Sequence, residues 1–150
     1  MSAFADVTYY DGAATPVAHT LKAVKQYEEK GWLVSLYREG LASLPTEAQV
    51  NMTLRSRVLP SGVEEHRVRT AVPVMETVSG QNAAGYTAAP QIAYRDEVET
   101  VQFAHPRSAE TGRRLVRQLH INALGNVITS VAAVQTGPVP EAFDKLIDPS

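Results

Sequence analysis

A chain of 150 residues with 44% hydrophobic and 20% charged side chains is sized for one compact domain spanning residues 1–150, which would bury about 70% of its unfolded surface. Fourteen basic against sixteen acidic side chains, a net charge of -2, exclude a global pull on nucleic acid, so anion binding must come from local clustering of positive charge. The absence of cysteine excludes a disulfide framework and thiolate chemistry, and no apolar run approaches the ~20 residues that cross a bilayer, so no membrane partner is expected.

The opening MSAFADVTYYDG lacks the pattern of a signal peptide. Val7 to Tyr10 and Val17 to Val24 are β-prone runs around DGAATP, whose Asp-Gly and Pro mark a turn, so a hairpin is predicted over about 7–24. YEEKG breaks the pattern. WLVSLYRE, residues 32–39, alternates as a further strand, and GLASLPTEA reads as the loop after it.

The strongest local signal is RSRVLPSGVEEHRVRT, residues 55–70. In LPSGV, Pro60 suits the second position of a type I turn and Gly62 the left-handed position that follows, the recipe for a three-residue hairpin loop with a bulge. That loop pairs Leu59 with Val63. Counting outward, Arg57 faces Glu65, Arg55 faces Arg67 and Thr53 faces Arg69, which gathers four arginines on one side of the sheet. Val50, Met52, Leu54, Val58, Val68 and Val72 fall on the other, with Ser56 and His66 as polar exceptions. A one-residue slip would scatter both sets, so the register is well specified.

Strand character continues to about Val78, with a bend or bulge expected at Pro73. SGQNAAGYTAAPQ, residues 79–91, is a loop of small residues, and the last strand spans Tyr94 to Ala104. SAETGRRLVRQLHINAL, residues 108–124, predicts a helix capped by Ser108 and ended by Gly125, with Leu115, Leu119 and Ala123 on one stripe. Arg113, Arg114 and Arg117 read as its solvated side. NVITSVAAVQTG predicts a second helix, capped by Asn126 and stopped at Gly137-Pro138, and residues 137–150 form an irregular tail.

The layout is α+β: an N-terminal hairpin, an antiparallel sheet of about five strands over residues 32–104, and two C-terminal helices over 108–136 that must cover the apolar face. Two short helices scarcely roof such a sheet, so an interlocked homodimer that shares them is the economical solution.

Chemistry is sparse. His19, His66, His105 and His120 lie on different elements without metal-ligand spacing, so no metal or cofactor is expected. Asp96, Glu97 and Glu99 could form an acid/base pair but read better as a solvated strand. The arginine face could be plain polar surface, yet Arg55 opposite Arg67 is a like-charge pair that an anion would relieve, and guanidinium suits phosphates and bases.

In their order and spacing, DGAATPVAHT, NMTLRSR, VRTAVPVMETVSG and VQFAHPRSAETGRRLVRQLHINALGNVITSVAAV resemble the coat proteins of single-stranded RNA bacteriophages, the levivirus type, over essentially the whole chain. The resemblance implies no enzyme but a structural subunit. Its partners would be a second copy, then an icosahedral shell of many copies, and an RNA stem-loop bound on the inner sheet face for packaging and translational repression. It would be assembled in the bacterial cytoplasm and found in the virion. Thr53, Arg55, Arg67 and Arg69 match the RNA-contacting positions, Arg95 the corresponding one on the last strand, and Arg57 belongs to the same face. Leu115, Leu119, Val127 and Val131 would lie between the two chains, and Gly80 and Gly85 in the loop between dimers. Arginine in place of the small hydroxyl residues of some relatives favours phosphate over base recognition. The rival readings are a non-viral RNA-binding module with the same face and a small hydrolase using the carboxylates near Asp96.

Overall fold

The computed structural model describes residues 3–76, 85, 89 and 91–150. Strands β1 (Val7–Tyr10), β2 (Ala18–Glu29), β3 (Trp32–Glu39), β4 (Asn51–Val58), β5 (Glu64–Met75) and β6 (Ile92–Ala104) form one six-stranded antiparallel sheet in chain order. The expected division into a hairpin and a five-stranded sheet is thereby corrected. YEEKG does not end a separate hairpin: β2 runs through it to Glu29, which pairs with Trp32. Lys30 (φ 51°) and Gly31 (φ 80°) make the turn, and positive φ at both central residues is what a two-residue hairpin loop needs to match strand twist.

The central hairpin has the register expected of it, with Arg57 opposite Glu65, Arg55 opposite Arg67 and Thr53 opposite Arg69. Its loop closes through Leu59 N–H to Val63 O (2.8 Å) and Gly62 N–H to Leu59 O (2.8 Å), with Gly62 left-handed at φ 77°. Pairing runs through Pro73, opposite Arg95, and the irregularity falls just beyond it, between Val74 and Met75.

After β6, α1 covers Glu110–Leu124. Ala109 holds the N-cap position, and Ser108 does not cap: its Oγ accepts a hydrogen bond from Arg113 Nη1 at 2.9 Å. The helix stops at Gly125 as expected, while the left-handed residue is Asn126 (φ 49°). The predicted second helix over 126–136 is absent, and the chain there is irregular. Val127, Ile128, Thr129, Val131 and Val134 are β-branched and lose side-chain freedom in a helix. The Val134 carbonyl instead accepts a hydrogen bond from Arg117 Nη2 (2.7 Å).

Helical structure resumes where none was expected, as α2 (Pro138–Pro140) running into a π-helical turn, Glu141–Lys145. Two C-terminal helical elements are thus present as expected, but the second lies in the tail rather than over 126–136, and it is this tail that roofs the apolar face. Ala142 and Phe143 are buried against Leu54, Val68 and Val139, beside a second cluster of Leu21, Tyr37 and Met52 under Phe4, Val7 and Val50. Polar groups fix the strap along its length. Gln102 Nε2 donates to Phe143 O (2.7 Å), Ser56 Oγ to Asp148 Oδ2 (2.7 Å) and Gln26 Nε2 to Pro149 O (2.6 Å). Asp144, with no exposed surface, is gripped from α1 by Arg117, whose Nε and Nη2 reach its two oxygens at 2.7 and 2.8 Å. Arg117 is therefore a buried ion-pair partner, not part of a solvated helix side.

His66 lies beneath Phe143, ring centroids 6.1 Å apart and 1% exposed. Its nitrogens lack a good hydrogen bond among the described residues, Glu64 Oε2 being 3.5 Å from Nε2. Burial pushes its pKa down, against the pull of Asp148 and Glu64 and with the help of Arg113. A depressed histidine pKa means that the unfolded chain binds the proton more readily, so the stability from the neutral ring is present above about pH 6.5 and lost as pH falls below it. His19 has the opposite sign, because its hydrogen bond to Glu39 raises its pKa. Thermal midpoints of the parent should therefore fall between about pH 7 and pH 5 more steeply than those of His66→Gln; parallel profiles would remove His66 from the account.

Candidate nucleic-acid interface

Alternation along the paired strands sorts charge between the two sides of the sheet. On the side away from the tail stand Lys22, Lys25, Arg38, Arg55, Arg57, Arg67, Arg69 and Arg95, against Glu29, Glu65, Glu97 and Glu99. Eight basic groups against four acidic ones leave an excess of four positive charges on that face. Paired strand positions on the opposite side carry Glu28, Glu39, Glu64 and Asp96 and no lysine or arginine. A chain of net charge -2 thus presents a basic surface by local segregation alone.

The arginines are not uniform. Glu65, 1% exposed, lies between two of them, accepting from Arg57 Nε at Oε2 and from Arg67 Nε at Oε1, both at 2.7 Å. Burial acts to raise the Glu65 pKa, but the hydrogen bonds from Arg67 and Arg57 outweigh it and hold the carboxyl below its ordinary value. Arg67 Nη1 also approaches Glu99 at 3.6 Å. Arg69 is paired with Glu97, whose pKa is lowered chiefly by that hydrogen bond. The Arg55–Arg67 repulsion is relieved inside the chain, since Arg67 is turned toward carboxylates. Arg55 itself, in the middle of β4, has no ion pair among the described residues, and neither has Arg95.

Register also settles the last strand. Arg95, Glu97 and Glu99 share the arginine side, while Asp96 pairs with Val72 on the other. The three carboxylates therefore do not converge, and two of them neutralise arginines. Among the described residues no cluster of histidines and carboxylates could hold a metal ion.

Sequence reasoning missed Trp32 and Tyr27. Trp32 opens β3 on the arginine side, its ring 4.2 Å from the Arg57 guanidinium carbon and 5.1 Å from that of Arg67. Tyr27, opposite Val34 on the same side, has Lys25 Nζ 4.6 Å from its ring centre. The only available signal was parity: Trp32, Val34 and Leu36 alternate with Leu33, Ser35 and Tyr37, and both sets are apolar enough to pass for core.

The residues expected between two chains are exposed in one, Leu115 and Leu119 at 60%, Val131 at 52% and Val127 at 38%. Val127 and Val131 border a cavity of about 1080 Å³ over the sheet, walled by Leu21, Met52, Val68 and Ile121. Leu115 and Leu119 are outside that lining. Gly85 is exposed with φ 81°; Gly80 lies outside the described residues.

No family model matches the sequence, and no curated protein matches it. Solved structures do match over almost the whole chain. The virus-like particle of bacteriophage ESE058 superposes with a TM-score of 0.71 at 19% identity, covering 96% of each chain. The virus-like particle of bacteriophage EMS014 does so at 0.70 and 20%, covering 97% of each. The coat protein of bacteriophage EMS014 gives 0.65 and 20%, covering 97% of this chain and 98% of its own. At such identities the likeness is one of architecture, and the chain has the fold of these bacteriophage coat and particle subunits.

Proposed function

We propose that this chain is the coat subunit of a single-stranded RNA bacteriophage. It pairs as a homodimer through α1 and the segment after it, and many dimers close into an icosahedral shell with Gly80 and Gly85 in the contacts between them. The arginine face turns inward onto a stem-loop of the genomic RNA, which serves packaging and translational repression. Assembly takes place in the host cytoplasm, and the role is structural rather than enzymatic.

The observation that carries this reading is the sidedness of the sheet, with an excess of four positive charges on the open face and the tail strapped across the other. Support for the dimer comes from the apolar side chains that one chain leaves uncovered on α1 and beyond and from β6, a strand of 13 residues at the sheet edge, since an unprotected edge invites pairing. A non-viral RNA-binding module would share the face but have no use for these surfaces.

Expression of the chain alone, followed by electron microscopy and nuclease treatment, tests the proposal. Closed particles enclosing protected RNA are expected; a soluble monomer without RNA would overturn it. The arginines should differ in effect. Arg55→Ala should lower the slope of log affinity against log salt by roughly 0.7 to 0.9, whereas Arg67→Ala should lower it less, because Glu65 and Glu99 already offset that charge. Equal slopes for the parent and Arg55→Ala would reduce Arg55 to ordinary surface.

A further inference from the structure

We infer that Trp32, with the guanidiniums of Arg57 and Arg67 over its ring, forms a platform for an unpaired nucleobase, with Arg55 placed to take the adjoining phosphate. This rests on the reading of the open face as an RNA surface and adds the kind of contact made there: stacking on a splayed base, not phosphate neutralisation alone.

The geometry supports it in three ways. First, an indole on a solvent-facing side of a sheet with two guanidiniums at 4.2 and 5.1 Å from its centre combines the two surfaces on which unstacked bases settle, aromatic rings and arginine planes. Second, the guanidiniums are held in place. Glu65 is 1% exposed and bonds both through their Nε atoms, while the arginine side chains keep about a third of their surface in solvent, 34% and 32%. A base therefore meets a preorganised stack. Third, Arg55 stands two residues from Arg57 on β4, opposite Val34 of β3, which is two residues from Trp32. It has no ion pair among the described residues to exchange for a phosphate. Tyr27, across from Val34 and diagonal to Trp32, extends the same surface with a second ring beneath Lys25. Stacking of this kind tolerates any base, so it would hold the loop of a hairpin with little sequence demand.

Trp32 is the only tryptophan in the chain, so its fluorescence reports the platform directly in the unaltered protein. The full chain is titrated with an end-labelled RNA hairpin carrying a single-stranded uridine loop, and with the same hairpin bearing abasic loop positions. Label anisotropy follows binding, and indole emission follows stacking. The expected result is saturable quenching that tracks the anisotropy for the base-bearing hairpin and is much weaker for the abasic one. Trp32→Ala should weaken binding of the base-bearing hairpin about tenfold and that of the abasic hairpin hardly at all, with Trp32→Phe in between. If the hairpins bind by anisotropy while Trp32 emission stays unchanged, or if Trp32→Phe and Trp32→Ala weaken both hairpins equally, the platform is refuted and the RNA surface stands. If neither hairpin binds the parent, the RNA reading falls first and takes the platform with it.

Discussion

Replacing Asp144 with leucine should unfasten the tail and cost more stability than any surface change in the chain. Asp144 has no exposed surface, and Arg117, whose side chain is 6% exposed, reaches both of its oxygens. Arg113 Nε donates to the Asp144 carbonyl at 2.7 Å, and Arg114 Nε stands 3.5 Å from its carboxylate. Removing the carboxylate leaves a buried guanidinium without its counterion, which costs about 3–5 kcal/mol, a large part of the roughly 5–15 kcal/mol that holds a domain together. Because the same residue joins α1 to the π-helical turn, the strap over Leu54 and His66 should loosen with it. The denaturation midpoint should drop sharply, and carboxypeptidase should trim the tail at temperatures the parent resists. The double variant Asp144→Leu, Arg117→Met should recover much of the loss, since an apolar pair of similar volume avoids the stranded charge. An Asp144→Leu protein with the parental midpoint would show that the pair contributes nothing.

Introducing aspartate at Leu119 or Val131 should have an equally large effect, but on assembly. In one chain these side chains are 60% and 52% exposed, so a carboxylate there remains solvated and folding should survive with a change within about 0.5 kcal/mol. If a second copy covers them, as proposed, the same carboxylate becomes buried and unpaired at several kcal/mol in each half of the dimer. Circular dichroism should then report a folded chain while sedimentation reports loss of dimers and particles. Particles of normal size from either variant would place the contact elsewhere.

How far the sequence could be read depended on the range of the forces involved. The β4–β5 hairpin was fully legible because LPSGV fixes its loop chemistry and the alternation on both sides agrees on one register, two local signals with one solution. The helix over 126–136 was misread because apolar spacing was weighed above β-branching. Val127, Val131 and Val134 suit a helical stripe on paper, but their preference is extended. The tail stayed dark for a different reason. Phe143 and Asp144 are fixed by Leu54, His66 and Arg117, residues 27 or more positions away, and no local periodicity records such partners. At the basic face, position could be read from parity but state could not. That Glu65 holds Arg57 and Arg67 while Arg55 is left without an ion pair depends on side-chain reach across strands.

The division of labour between the two sides of β4 and β5 also bears on how this chain can change over generations. Ser56, tied to Asp148 under the tail, sits between Arg55 and Arg57, and His66, under Phe143, sits between Glu65 and Arg67. Every residue there has its neighbours in sequence serving the opposite surface. A one-residue slip in the register of β4 would carry guanidiniums under the strap and leave Met52 and Leu54 in water, so two functions would fail through one event. Point replacement can tune either surface alone, whereas gain or loss of residues should fall outside the paired strands, as at the β1–β2 turn around Gly12 and the stretch from Gly40 to Val50. Homologues should therefore align without gaps from Asn51 to Met75 even where little identity survives.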